Sequence, residues 1–118
     1  MAAVIIASLI ISCNGRQGVK TFIEGSYMRN FENEFAVGID SVVLLEQGDN
    51  HYLILKYSRF SRLKNGDWLP EERHEEKMAG VYDEDKEIIN EQKKGKVIHF
   101  NPAKGKMFIG ASEYKKVK

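Results

Sequence analysis

His51-Tyr52-Leu53-Ile54-Leu55-Lys56-Tyr57-Ser58-Arg59-Phe60-Ser61-Arg62-Leu63 is a run of aromatic and aliphatic residues interleaved with polar ones, and it stops at Asn65-Gly66. Aromatic and branched side chains suit a pleated, half-buried surface, so the run reads as a long strand. Asn-Gly is the strongest short-range hairpin signal, because a type I′ turn needs positive φ at both central positions. The chain therefore reverses there, and Trp68 to Tyr82 reads as the returning strand. Pro70 has no N–H to donate, which places its start at an edge or a bulge. Within it, Glu71 to Lys77 reads as strand, with a helical turn as the alternative, since Glu, Arg, Lys and Met favour helix.

The same grammar extends in both directions. No segment sustains apolar i, i+3, i+4 spacing over three helical turns. Upstream, Thr21 to Met28 is a first strand, with Gly25 as a bulge or a point of close approach. Glu34 to Val37 is a short second, and Ser41 to Glu46 a third that ends at the turn Gln47-Gly48-Asp49-Asn50. Downstream, Glu87 to Gln92, Val97 to Phe100, Met107 to Ile109 and Ser112 to Val117 alternate with Asp83-Glu84-Asp85-Lys86, Lys93-Lys94-Gly95-Lys96 and Asn101-Pro102-Ala103-Lys104-Gly105. About eight short strands with regular turns give an all-β antiparallel meander. Curled into a small barrel or half-barrel, lipocalin-like, such a sheet hides most of its edges. Tyr52, Tyr57, Phe60, Trp68, Tyr82, Phe100 and Phe108 are expected to fill the core; a ligand pocket in the barrel mouth is the alternative use for them.

The chain has 118 residues, a net charge of +1 and one cysteine. That length is one domain, and a single thiol allows no internal disulfide and no four-cysteine zinc site. Residues 1–12 carry no charge, and Ala2 to Ile11 is an apolar run interrupted only by Ser8. It falls short of the ~20 apolar residues a spanning helix needs and has the size of a signal-peptide core. Ile10-Ile11-Ser12-Cys13 follows, although no Lys or Arg precedes the run. A small residue directly before the cysteine, after branched apolar ones, resembles the bacterial lipobox. That resemblance implies cleavage before Cys13 and acylation of Cys13. The expected division is a signal peptide over 1–12, a lipidated Cys13 with a tether over 13–20, and one β domain over 21–118. Each acyl CH₂ buried in a bilayer contributes about 0.8 kcal/mol, so several chains hold a protein almost permanently.

Charge is unevenly spread. Residues 93–118 hold eight Lys against one Glu. Lys93, Lys94, Lys96, Lys104 and Lys106 fall in or beside predicted turns, and alternate turns of a meander share one end of the sheet. A basic rim touching anionic lipid or an acidic protein is the functional reading; protection of strand edges is the structural one. Nucleic acid is not expected, since Lys supplies charge but little Arg is present for base readout.

The chain shows no constellation for catalysis. His51, His74 and His99 lack the i, i+4 pairing of a zinc helix. There is no nucleophile elbow and no phosphate loop. The acidic groups Glu71-Glu72, Glu75-Glu76 and Asp83-Glu84-Asp85 read as solvated turns or faces, and the last lacks the spaced ligands of an EF-hand. No cofactor and no metal site are expected, and the reading is non-enzymatic.

Several segments together carry a wider resemblance: Cys13-Asn14, Glu24-Gly25-Ser26-Tyr27, Phe31-Glu32-Asn33-Glu34-Phe35, Tyr57-Ser58-Arg59-Phe60-Ser61-Arg62 with Gly66, Lys77-Met78-Ala79-Gly80-Val81-Tyr82-Asp83-Glu84, Gly95-Lys96-Val97-Ile98-His99-Phe100-Asn101-Pro102, and Gly110 followed by Tyr114-Lys115-Lys116. The chain resembles small Bacteroidetes lipoproteins, some of them encoded with conjugative-transposon genes. The resemblance implies an accessory lipoprotein acting by protein contact, anchored at the periplasmic face of the outer membrane, and it transfers no catalytic residue. A lipocalin-like carrier of a small apolar ligand and a periplasmic inhibitor of lysozyme-type enzymes are the competing expectations. Cys13→Ala is expected to abolish metabolic labelling with a fatty-acid analogue and to leave the precursor uncleaved on a gel; labelling that persists contradicts the assignment.

Overall fold

The structure, a computed structural model, describes residues 18–118. Cys13 and the leader lie outside the described residues. Nine strands occur: β1 (Gly25–Glu32), β2 (Ala36–Gly48), β3 (His51–Lys64), β4 (Asp67–Trp68), β5 (Glu72–Asp83), β6 (Ile88–Glu91), β7 (Val97–Asn101), β8 (Lys106–Ile109) and β9 (Ser112–Lys116). All pairings are antiparallel and join chain neighbours, except that β3 pairs with β5 past the short β4 and that β1 also meets β9. That last pairing closes β1, β2, β3, β5, β6, β7, β8 and β9 into an eight-stranded up-and-down barrel, as the turn spacing predicts. β4 is a two-residue edge on the end of β3.

Closure requires one face of every strand to point inward, and the period of two supplies it. The inward positions include Tyr27, Val42, Leu44, Tyr52, Ile54, Ile89, Ile98, Met107 and Tyr114, each no more than 2% exposed. Tyr52 and Tyr82 enter the core as expected, and Phe100 packs against it. Tyr57 and Trp68 do not; both are exposed on the outer face. Phe108 stacks on His99 instead, with ring centroids 4.8 Å apart. Tyr27 and Tyr114 hold the interior places that sequence reasoning gave to those residues. Burial pushes the Tyr114 hydroxyl up to about 12, with Asp40 adding to the rise and Arg29 opposing it.

Three elements depart from the expected pattern. The returning strand Trp68 to Tyr82 is interrupted over residues 69–71, around Pro70, and so divides into β4 and β5. Residues 18–23 are helical (α1), not the start of a strand, and the folded domain therefore includes residues 18–20 of the expected tether. Val19 and Ile23, four apart and so on one helix face, are buried in the barrel core. One and a half turns are too few for helical periodicity to show in sequence. The expected strands Glu34 to Val37 and Ser41 to Glu46 are one continuous β2. Gly38 does not break it: a Cβ there would lie 2.5 Å from the Phe60 Cβ and 2.8 Å from the Phe31 ring. Glycine is what lets two phenylalanines converge over the strand. Gly25 is a close-approach point, as expected, since a Cβ would lie 2.2 Å from the Lys118 carbonyl oxygen.

Asn65 and Gly66 turn the long hairpin with φ of 54° and 82°. Space around Gly66 is open, so only backbone strain opposes a side chain there. Gly66→Val is expected to lower stability by about 1 kcal/mol or more, measured as a fall in the melting temperature of the folded domain; an unchanged value would place the strain elsewhere.

Candidate functional site

The barrel has unequal walls. β2, β3 and β5 run 13, 14 and 12 residues, whereas β6 to β9 run four or five. β6 pairs with β5 only from Gly80 to Asp83, and β9 pairs with β1 only at Tyr27 and Met28. The distal halves of β1, β2, β3 and β5 therefore project past the closed section as an open four-stranded extension. The opposite end is shut by α1. There Lys20 donates to Asn50 Oδ1 at 3.0 Å and pairs with Glu84 at 3.4 Å. The Tyr27 hydroxyl lies 2.9 and 2.6 Å from the Phe22 and Ile23 carbonyls.

The inner face of the extension is polar and internally satisfied. Asp40, 6% exposed, accepts from Arg29 Nε at 3.0 Å and from Ser58 Oγ at 2.7 Å. These residues lie directly across adjacent strands, Arg29 opposite Asp40 and Asp40 opposite Ser58. A buried carboxylate requires such partners. The Arg29 guanidinium also sits over the rings of Phe31 and Tyr114. Further out, Arg62 Nε bonds Glu72 at 2.8 Å, and His74 stacks on Phe60. A groove of about 600 Å³ runs beside Phe31, Gly38 and Phe60.

The outer face of the tip is apolar. The Leu63 N–H donates to the Phe35 carbonyl at 2.8 Å, and Leu63 is the partner of Trp68. Phe35, Leu63 and Trp68 thus form one row across the β1–β2 turn, β3 and β4. Phe35 is 72% and Trp68 55% exposed, with Val37 and Leu69 beside them also exposed. No such row was foreseen from the sequence. The usable signal was that Trp68 flanks the predicted Asn65-Gly66 turn, where a large aromatic has little core to enter; Phe35, read as part of a strand, gave none.

The lysines named from the sequence do not form one rim. Lys93, Lys94 and Lys96 occupy the β6–β7 turn, whereas Lys104 lies in a short 3-10 turn (Pro102–Lys104) at the other end of β7, just before Lys106. Consecutive turns of a meander sit at opposite ends, which separates the two sets. Lys93 and Lys94 pair with Glu76 at 3.5 and 3.0 Å, and Lys106 with Glu113 at 3.2 Å. Exposed pairs of this kind add little stability. The three histidines stay apart, on β3, β5 and β7. Among the described residues no group of three or more His, Cys, Asp or Glu could hold a metal ion.

No family model, curated protein or solved structure matches the chain.

Glu91 organises the lysine turn. Its buried carboxylate accepts from the Lys93, Lys94 and Lys96 backbone N–H groups at 2.6 to 3.3 Å. Burial alone would raise its pKa, but the three N–H donors outweigh burial and hold it below the ordinary 4.5. A lowered folded-state pKa gives stability that is present above the unfolded value and is lost as pH falls through the folded one. Glu91→Gln is therefore expected to melt lower than the parent at pH 7, with the gap narrowing steadily from about pH 5 to pH 3; a gap independent of pH would show that the charge is not what the turn uses.

Proposed function

We propose that the protein is a membrane-anchored, non-enzymatic accessory lipoprotein that acts by protein contact through its distal tip. The observation that carries this reading is the row Phe35–Leu63–Trp68, whose two aromatic side chains are exposed at the end of the barrel opposite α1. Exposed apolar patches on soluble domains mark interaction sites when they are contiguous, and aromatic residues supply most anchors in protein interfaces. The chain enters the domain at α1, five residues after Cys13. Five residues reach at most about 18 Å, so a lipid on Cys13 holds the shut end near the membrane. The hairpin tip then points away from it, towards proteins in the surrounding compartment. The outer membrane, periplasmic face, and a conjugation setting are the context that the sequence resemblance supplies.

The packed interior favours contact over cargo. Tyrosines, isoleucines and Met107 fill the space that a carrier would leave for its ligand, and the space between Lys56, Met78 and Ile98 at the inner mouth measures about 10 Å³, near the lower limit for a single water. Inhibition of a periplasmic enzyme is the second reading. It is favoured by the projecting Asn65-Gly66 hairpin, whose shape suits insertion into a cleft.

A photo-crosslinking amino acid at position 68 of the full chain in living cells tests the proposal. A specific adduct with another protein is expected, lost on Phe35→Ser and reduced on Cys13→Ala, while Phe35→Ser shifts stability by no more than about 0.5 kcal/mol because the site is exposed. Adducts to lipid alone, or none, would contradict it. An adduct with a muramidase would select the inhibitor reading.

A further inference from the structure

The second apolar surface is on the wall of the barrel. In most of this sheet polar residues share the outer face, and the outer positions of β7 to β9 carry His99, Lys106, Glu113 and Lys115 beside Val97 and Phe108. β2 and β3 break the alternation. Val42-Val43-Leu44-Leu45 and Tyr52-Leu53-Ile54-Leu55 are apolar at every position. Val42, Leu44, Tyr52 and Ile54 point inward and are buried. Val43, Leu45, Leu53 and Leu55 must then point outward, because successive side chains alternate. They form a block, since Val43 faces Leu55 and Leu45 faces Leu53 across the strand pair. Ile39 and Tyr57 continue the block along the wall, and Met28 and Ala79 flank it on β1 and β5. Leu45 and Tyr57 are exposed at 36% and 39%. None of the described elements lies over this wall, because α1 spends its apolar side chains on the barrel end.

A strand that is apolar on both faces is the mark of a sheet covered on both sides. We infer that this wall is covered by the same wall of a second copy, in a two-fold symmetric dimer. Two observations select that occupant. First, an isologous contact places each surface against itself, so its rim must carry both signs, and it does. Arg59, Glu75 and Lys77 border the apolar block on β3 and β5. A surface for an anionic membrane would be bordered by cations instead. Second, the size fits. Four strands about 4.8 Å apart, over ten residues at about 3.3 Å each, span roughly 600 Å² in projection. That footprint, rim included, lies at the lower end of the ~600–1,000 Å² per partner of a stable interface. A two-fold axis parallel to the barrel axis puts both α1 ends at the same level. Both anchors then reach one membrane, and the two distal tips stand side by side. The dimer does not depend on the proposed role of the tip.

The test uses the full chain in its membrane. A photo-crosslinking residue at position 55 is expected to give an adduct at twice the mass of the protein, and the same residue at position 99 to give none. Two copies with different tags are expected to co-purify in mild detergent, with Leu53→Glu lowering the yield at least tenfold and Leu53→Met leaving it unchanged. Should Leu53→Glu fail to fold, Leu45→Lys at the more exposed corner is expected to give the same loss with an intact melting transition. Adducts from position 55 to lipid, to a different protein, or within one chain to residues 1–17 would overturn the dimer. So would co-purification indifferent to a folded charge variant.

Discussion

The barrel closes through a seam only two paired residues long, Tyr27 with Lys116 and Met28 with Lys115. Much else at the shut end exists to hold that seam. Ser26 N–H donates to the Lys118 carbonyl, and the Val117 N–H donates to Ser26, which extends the seam past the last strand. Gly25 is required because the Lys118 carbonyl occupies the place of a Cβ. The Lys116 ammonium donates to the Phe22 and Glu24 carbonyls and lies 4.4 Å from the Phe22 ring centre. Burial lowers its pKa, partly offset by Glu24. The Tyr27 hydroxyl reaches the same short helix. Seam, helix and C-terminus are thus a single packed unit, and a cation at the end of a helix is the favourable sign there.

The shortness of the seam also explains the open end. Four strands continue past the point where their neighbours stop. Their inner faces can no longer be covered by apolar side chains from across the barrel. Arg29, Asp40, Ser58, Arg62, Glu72 and His74 take those positions and satisfy one another. Beyond them the chain has no interior left to fill, and Phe35 and Trp68 remain in solvent. One end is therefore packed and close to the chain's point of entry, and the other is open and apolar. That polarity is what an anchored contact protein requires.

The sequence carried the meander because turns are local. Gln47 to Asn50, Asn65-Gly66, Asp83 to Lys86 and Asn101 to Gly105 each announce a reversal within a few residues, and all are reversals in the fold. The continuity of β2 was hidden because Gly38 and Asp40 look like breaks. Their justification is non-local: Gly38 makes room for Phe31 and Phe60, and Asp40 meets Arg29 and Ser58, 11 and 18 positions away. The division of the lysines between the two ends follows from counting turns. The exposed tip depends on strand lengths, which composition does not reveal. The apolar outer wall is the reverse case: Val42 to Leu45 was plainly Val- and Leu-rich, but only the register shows that half of it points away from the core, with no cover among the described residues.

The central claim is that the shut end faces the membrane and the apolar tip faces away. The most direct measurement is energy transfer from a dye on the lipidated protein in vesicles to an acceptor in the bilayer, with the dye placed at position 66 or at position 49. β3 joins those two turns, and its 14 residues span about 40 Å at about 3.3 Å each, allowing for tilt. Strong transfer from position 49 and weak transfer from position 66, with a difference of tens of ångströms in height, is the predicted result. Equal transfer from both, or stronger transfer from position 66, would mean that the barrel lies flat or stands on its tip, and would contradict the account.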